Sequence, residues 1–98
     1  MPGMADSDED VPRIVDDPDA SRFEAWLGDR RVGFTEYRLG ASRIVFLHTE
    51  IDPAVEGRGI GSRLVAEALR QARGRGLAVT AQCPFVAAYL RRHPEAAG

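Results

Sequence analysis

The sequence predicts an α/β (α+β) domain: a mixed sheet in which an antiparallel meander leads into a βαβ unit and a C-terminal helix. Three observations predict it. Short runs in the first half alternate apolar and polar residues and are joined by tight turns. After Asp52-Pro53 the apolar period lengthens from two to about 3.6. A further strand-like run and a second helical pattern close the chain.

Taken in order, residues 1–12 are polar, acidic and without periodicity, and are expected to be a disordered tail. A compact domain is expected over residues 13–96, with order starting near Arg13 or Arg22. In residues 21–27, Phe23, Ala25 and Leu27 fall on one side and Glu24 and Trp26 on the other. Gly28-Asp29-Arg30 makes a turn, residues 31–39 form a second strand, and Gly40-Ala41-Ser42 makes the next turn. Residues 43–51 are rich in β-branched and aromatic side chains and form a third strand. Strict alternation puts Ile44, Phe46, His48 and Glu50 on one face and Val45, Leu47, Thr49 and Ile51 on the other. Both faces carry apolar residues, so this strand is expected to be covered on both sides.

Ile60, Leu64, Val65, Ala68, Leu69 and Ala72 make one helical stripe. Gly74-Arg75-Gly76 ends it, with one of the two glycines left-handed. Residues 77–83 are the next strand. Pro84 opens a last helix that runs to His93, and Pro94 stops it. A helix between two strands makes 43–51 and 77–82 parallel neighbours.

Composition bounds the function. The chain has 98 residues, enough for one domain. No apolar run reaches the roughly 18 residues of a membrane span, and the acidic N-terminus lacks a signal h-region. A cytoplasmic location without a membrane partner is expected. The single cysteine, Cys83, excludes an internal disulfide; with His48 and His93 it is too little for a metal site. Lysine is absent. Residues 1–19 hold seven acids and only Arg13, whereas residues 20–98 carry a net charge of +4. A mildly basic folded part suits an anionic ligand. The arginines are scattered, so nucleic acid is not an expected partner.

Gly57, Gly59 and Gly61 alternate where the first helix begins. The opening N–H groups of a helix lack intrahelical partners, and the helix dipole adds positive charge there. Glycines let such a backbone approach an anion, and Arg58 or Arg63 would add charge. The other reading is a plain turn. A Walker A loop needs a lysine, and the dinucleotide fingerprint needs a different spacing.

Here the sequence resembles the GCN5-related N-acetyltransferases. Their [Q/R]-x-x-G-x-[G/A] signature aligns with Glu56-Gly57-Arg58-Gly59-Ile60-Gly61, matching at Gly59 and Gly61 and departing at Glu56. "FLHTEIDPAVEGRGIGSRLVAEAL" with "CPFVAAYLRRHPE" is similar to a compact single-domain branch of that superfamily, over about residues 14–95. The resemblance implies an acetyl-CoA-dependent N-acetyltransferase acting on an amine, either a small molecule or a protein. The amides of Gly57, Arg58, Gly59, Ile60, Gly61 and Ser62 would hold the CoA pyrophosphate. The strand end at Ile51 would bond the pantetheine arm, and the two parallel strands would splay around the thioester. Larger members carry further elements over the acceptor. A chain this short therefore leaves a second function open: a CoA-binding or protein-interaction module with little turnover. A third is a small domain with a plain glycine turn that packs on a partner. A monomer or weak homodimer is expected.

Four residues are candidates for the chemistry. Cys83 falls at the start of the last helix, where a thiol gains from the dipole; it would take the acetyl group, line the pocket, or simply end a strand. Tyr89, six residues on, matches the interval at which the family places a proton donor to the departing sulfur; otherwise it is a core aromatic. His48 and Glu50 lie near the expected splay as general bases, or as a structural histidine and a solvated strand end.

Overall fold

The computed structural model describes residues 11–97. Of the expected disordered tail, only Val11 and Pro12 fall among them. Five strands make one sheet in sequential order: β1 (Arg13–Asp17), β2 (Arg22–Leu27), β3 (Arg30–Leu39), β4 (Arg43–Ile51) and β5 (Ala78–Ala81). The first three pairings are antiparallel and β4 with β5 is parallel. Helix α1 (Ile60–Gly74) links the parallel pair, and α2 (Pro84–Arg92) follows β5. This is the expected meander and βαβ unit, with one more strand in front.

That extra strand, β1, turns only one apolar residue, Ile14, towards the core, opposite Ala25. Its period is too short to read. Its anchor is tertiary: the Tyr37 hydroxyl donates to Asp16 Oδ1 at 2.7 Å. Burial, together with that bond to a carboxylate, pushes the Tyr37 phenol up to about 12.

The core lies between the sheet and α1. Phe23, Ala25, Thr35, Tyr37, Ile44 and Phe46 face Ile60, Leu64, Val65, Ala68, Leu69 and Ala72, all buried. Each large apolar side chain there contributes about 1.5–3 kcal/mol. The helix stops as expected. Gly76 is left-handed (φ 72°), Leu77 N–H donates to Ala72 O, and Gly76 N–H donates to Arg73 O.

Strict alternation fails in β4. Glu36 pairs with His48 but Tyr37 pairs with Phe46, so Leu47 is left over as a bulge. The extra residue reverses the faces beyond it. Thr49 and Ile51 now lie on the α1 side with Ile44 and Phe46, and His48 and Glu50 turn to the opposite face. Nor is β4 covered on both sides. On its second face Val45 and Leu47 are only half-buried, and His48 and Glu50 are exposed.

Over β2 and β3 the second face of the sheet is closed by charge rather than by a helix. Glu24, 6% exposed, accepts from Arg22 Nε at 2.7 Å and from Trp26 Nε1 at 3.0 Å, with Arg31 at 3.5 Å. Arg22 and Arg31 also lie over the Phe34 ring, at 5.2 and 5.7 Å. Burial alone would raise the Glu24 carboxyl, but the bonds from Arg22 and Trp26 outweigh it and hold the carboxyl below its ordinary value. Stability from ionised Glu24 is therefore present above the unfolded carboxylate range, near pH 4.3, and is lost as pH falls through the lower folded value. We expect Glu24→Gln to destabilise the fold by about 1–3 kcal/mol at pH 7. In thermal melts its deficit against the wild type should close as the pH falls below that range; a deficit constant with pH would contradict the assignment.

Candidate functional site

The site begins where the parallel pairing ends. Phe46 opposite Ala81 is the last pair. The Phe46 carbonyl then accepts both Gln82 N–H at 2.9 Å and Cys83 N–H at 3.0 Å. Beyond it the chain turns into α2, with Pro84 in its first turn. This is why β5 is shorter than the 77–83 expected. On the β5 side, residues 47–51 of β4 run on without a strand partner, so the two strands splay.

After β4, Asp52 accepts from Ala54 N–H at 2.9 Å and pairs with Arg30 at 2.5 Å. The amide bond and then the arginine hold its carboxyl below the ordinary value. Asp52 thereby starts a 3-10 turn (Pro53–Val55) that buries Val55. Gly57 and Gly59 follow with φ of 85° and 77°, a left-handed backbone with open space where a side chain would stand. Gly59 caps α1 without any side-chain bond, and the first turn of α1 holds no acid. The first intrahelical bond is Arg63 N–H to Gly59 O at 3.1 Å. The amides of Ile60, Gly61 and Ser62 therefore lack helical acceptors, at the positive end of a fifteen-residue helix.

Gly61 does something different. A Cβ there would stand 2.5 Å from Phe85 Cζ. Its bareness admits the Phe85 ring and brings the first turn of α2 against that of α1.

These parts enclose a cleft of about 360 Å³. Its walls are Thr49 and Ile51 from the free edge of β4, Val55 and Glu56 from the loop, the glycine turn with Ile60 and Ser62, and Phe85. One end is apolar and the other offers unpaired N–H groups. The chemistry of that donor set fits a pyrophosphate at the helix end and an uncharged arm along the strand.

The structure brings some expected residues together and separates others. Ile51, Gly57, Gly59, Ile60, Gly61 and Ser62 all line the cleft. Arg58 instead borders a neighbouring depression with Gly28, Asp29 and Arg30. Cys83 holds the N-cap position of α2, but its thiol does not cap the helix; it is 2% exposed and donates to Thr49 Oγ1 at 3.3 Å. Tyr89 packs on His93, ring centroids 4.5 Å apart, and lines a different groove along the outer side of α1 with Arg63, Arg70 and Arg73. In that groove Arg70 holds the Glu67 carboxyl down at about 2 against the opposing effect of burial. His48 and Glu50 bond each other at 2.7 Å on the exposed second face of the sheet. Sequence reasoning passed over Thr49 and Phe85. The bulge that turns Thr49 inward leaves no compositional trace, whereas an aromatic after Cys-Pro facing a helix-start glycine is a readable signal for Phe85.

Fold and cleft together define a small mixed-sheet domain with a splayed parallel pair and an open helix start at one end of it. A family model described as GCN5-related N-acetyl-transferase matches residues 22–98, and the chain belongs to that family. Members generally use acetyl-CoA and act on amine acceptors. The comparison with curated proteins gave no match.

The glycines have separable roles. Gly59→Ala should cost about 1–2 kcal/mol through left-handed strain alone. Gly74→Ala, with helical backbone and open space, should stabilise by about 0.4–1 kcal/mol. Gly61→Ala should destabilise through Phe85, and Phe85→Ala should relieve most of that loss. Urea unfolding of the single variants and the double variant measures all four; an additive Gly61/Phe85 pair would contradict the packing role.

Proposed function

We propose that residues 13–96 form an acetyl-CoA-dependent N-acetyltransferase domain whose acyl donor lies in the glycine cleft. One observation carries the reading: the strand gap and the uncapped helix start open into the same cavity. The amides of Gly59, Ile60, Gly61 and Ser62 would hold the diphosphate, with Arg58 adding charge from the neighbouring depression. The edge of β4 up to Ile51 would bond the pantetheine arm, and Phe85 would cover it. When bound, the donor supplies an acyl group already activated as a thioester.

The remaining roles follow from position. His48 and Glu50 follow the bulge on the opposite sheet face, paired with each other and open to solvent. There they would take a proton from an amine arriving on that side. Cys83 backs the cleft as a buried thiol rather than serving as the nucleophile. Tyr89, in the α1 groove, is left out of the transfer. The acceptor is a small-molecule or protein amine, and the domain acts as a monomer or weak homodimer.

A second reading is favoured by a specific observation. Tyr89 lies outside the cleft, Cys83 beneath its surface, and His48 and Glu50 on the opposite face of the sheet, so none of the four expected chemical groups lines it. A CoA-binding or protein-interaction module with little turnover would need none of them.

Acetyl-CoA and CoA are expected to raise the melting temperature. Gly59→Glu should abolish the shift, and Arg58→Ala should weaken binding about two- to tenfold, less so at high salt. No shift at millimolar ligand would defeat the enzyme and the CoA-binding module alike. Acetylated product from an amine panel separates the enzyme from the binding module. Intact-mass analysis with acetyl-CoA is expected to show no adduct lost in Cys83→Ala; such an adduct would restore the thiol as nucleophile.

A further inference from the structure

Thr49 stands where the buried sheet meets the cleft. Its Oγ1 accepts the Cys83 thiol proton at 3.3 Å and lies 2.9 Å from Thr35 Oγ1. Thr35 is wholly buried, whereas Thr49 is half-buried and lines the cleft. A hydroxyl has one proton and two lone pairs. Among the described residues, the Thr35 hydroxyl has Thr49 as its side-chain partner and no other. If Thr49 donated to Thr35, the Thr35 proton would remain buried without an acceptor, at the full desolvation penalty of that group. Thr35 is therefore the donor. Its proton and that of Cys83 fill both lone pairs of Thr49, and the Thr49 proton has only the cleft left to it.

We propose that Thr49 is a preset hydrogen-bond donor on the cleft floor that takes a carbonyl oxygen of the bound ligand. With its lone pairs filled it cannot accept, so it selects a group with a free lone pair over a donor-only N–H. Ile51, Val55 and Phe85 surround it with apolar walls, where an unmatched donor is most costly. The identity of the ligand rests on the acyl-CoA reading, in which a carbonyl comes either from the thioester or from an amide of the pantetheine arm. Neither the buried Thr35 nor the thiol touches the ligand; they position the hydroxyl that does.

Two measurements test this separately. Cys83 is the only cysteine, so the infrared S–H stretch of the ligand-free chain reports it alone. We expect the band to be lowered and broadened against a free thiol. It should move back in Thr49→Val and stay lowered in Thr49→Ser. A wild-type band at the free-thiol position overturns the proton count, and this reading needs no variant to fold. Calorimetry with acetyl-CoA and CoA then follows the donor. Thr49→Val should weaken acetyl-CoA binding roughly three- to tenfold, with Thr49→Ser close to wild type. A loss confined to acetyl-CoA places the donor on the thioester carbonyl, and an equal loss for both ligands places it on a pantetheine amide. Unchanged affinity for both overturns the proposal. Failure of the wild-type chain to bind either ligand overturns the acyl-CoA reading and the ligand named here, while the infrared band still decides the hydroxyl network.

Discussion

One carbonyl governs the shape of this molecule. Phe46 O accepts two consecutive N–H groups, from Gln82 and Cys83, and uses up its lone pairs in doing so. In a regular parallel ladder only alternate N–H groups face the neighbouring strand, so the Cys83 N–H would point away from β4. Here it does not, and the two strands part. The Leu47 bulge lies immediately beyond. Bulge and bifurcated bond together turn Thr49 and Ile51 towards the helices and leave their strand edge free. The cleft is thus a consequence of where backbone pairing stops, and the side chains only line it.

A chain of this size has little apolar surface with which to cover both faces of five strands. It resolves this unevenly. One face is packed against α1 with the large aliphatic and aromatic residues. Over β2 and β3 the other is shielded by a buried carboxylate, two arginines and two aromatic rings, with both carboxylate oxygens hydrogen-bonded. A charged cover of this kind excludes water from the backbone without a second layer of helix. It also leaves the end of β4 at His48 and Glu50 exposed.

Much of this was legible beforehand. The meander, the helix stripe, its left-handed stop at one of two glycines and the parallel pair all follow from local periodicity and from residues with narrow backbone preferences. So does the glycine turn, because alternate glycines before an apolar helical stripe have few other uses. The face of Thr49 was not legible, since a one-residue bulge conserves composition while reversing every side chain beyond it. Where the Cys83 thiol and the Tyr89 ring point was not legible for the same kind of reason. Which side of a nine-residue helix meets a cleft is set by contacts distant in sequence, here Gly61 against Phe85.

The three glycines are alike in sequence and unlike in physics. At 57 and 59 the missing side chain gives a left-handed backbone facing open space, the property an anion site requires. At 61 the same absence is filled from within by the ring of Phe85. The two uses depend on each other. The ring holds the first turns of α1 and α2 together, and only while they are held do the helix-start amides and the β4 edge bound a single cavity. A domain with a plain glycine turn would need the first two glycines and would have no use for the third. The contact at Gly61 therefore favours a built cleft over a simple turn.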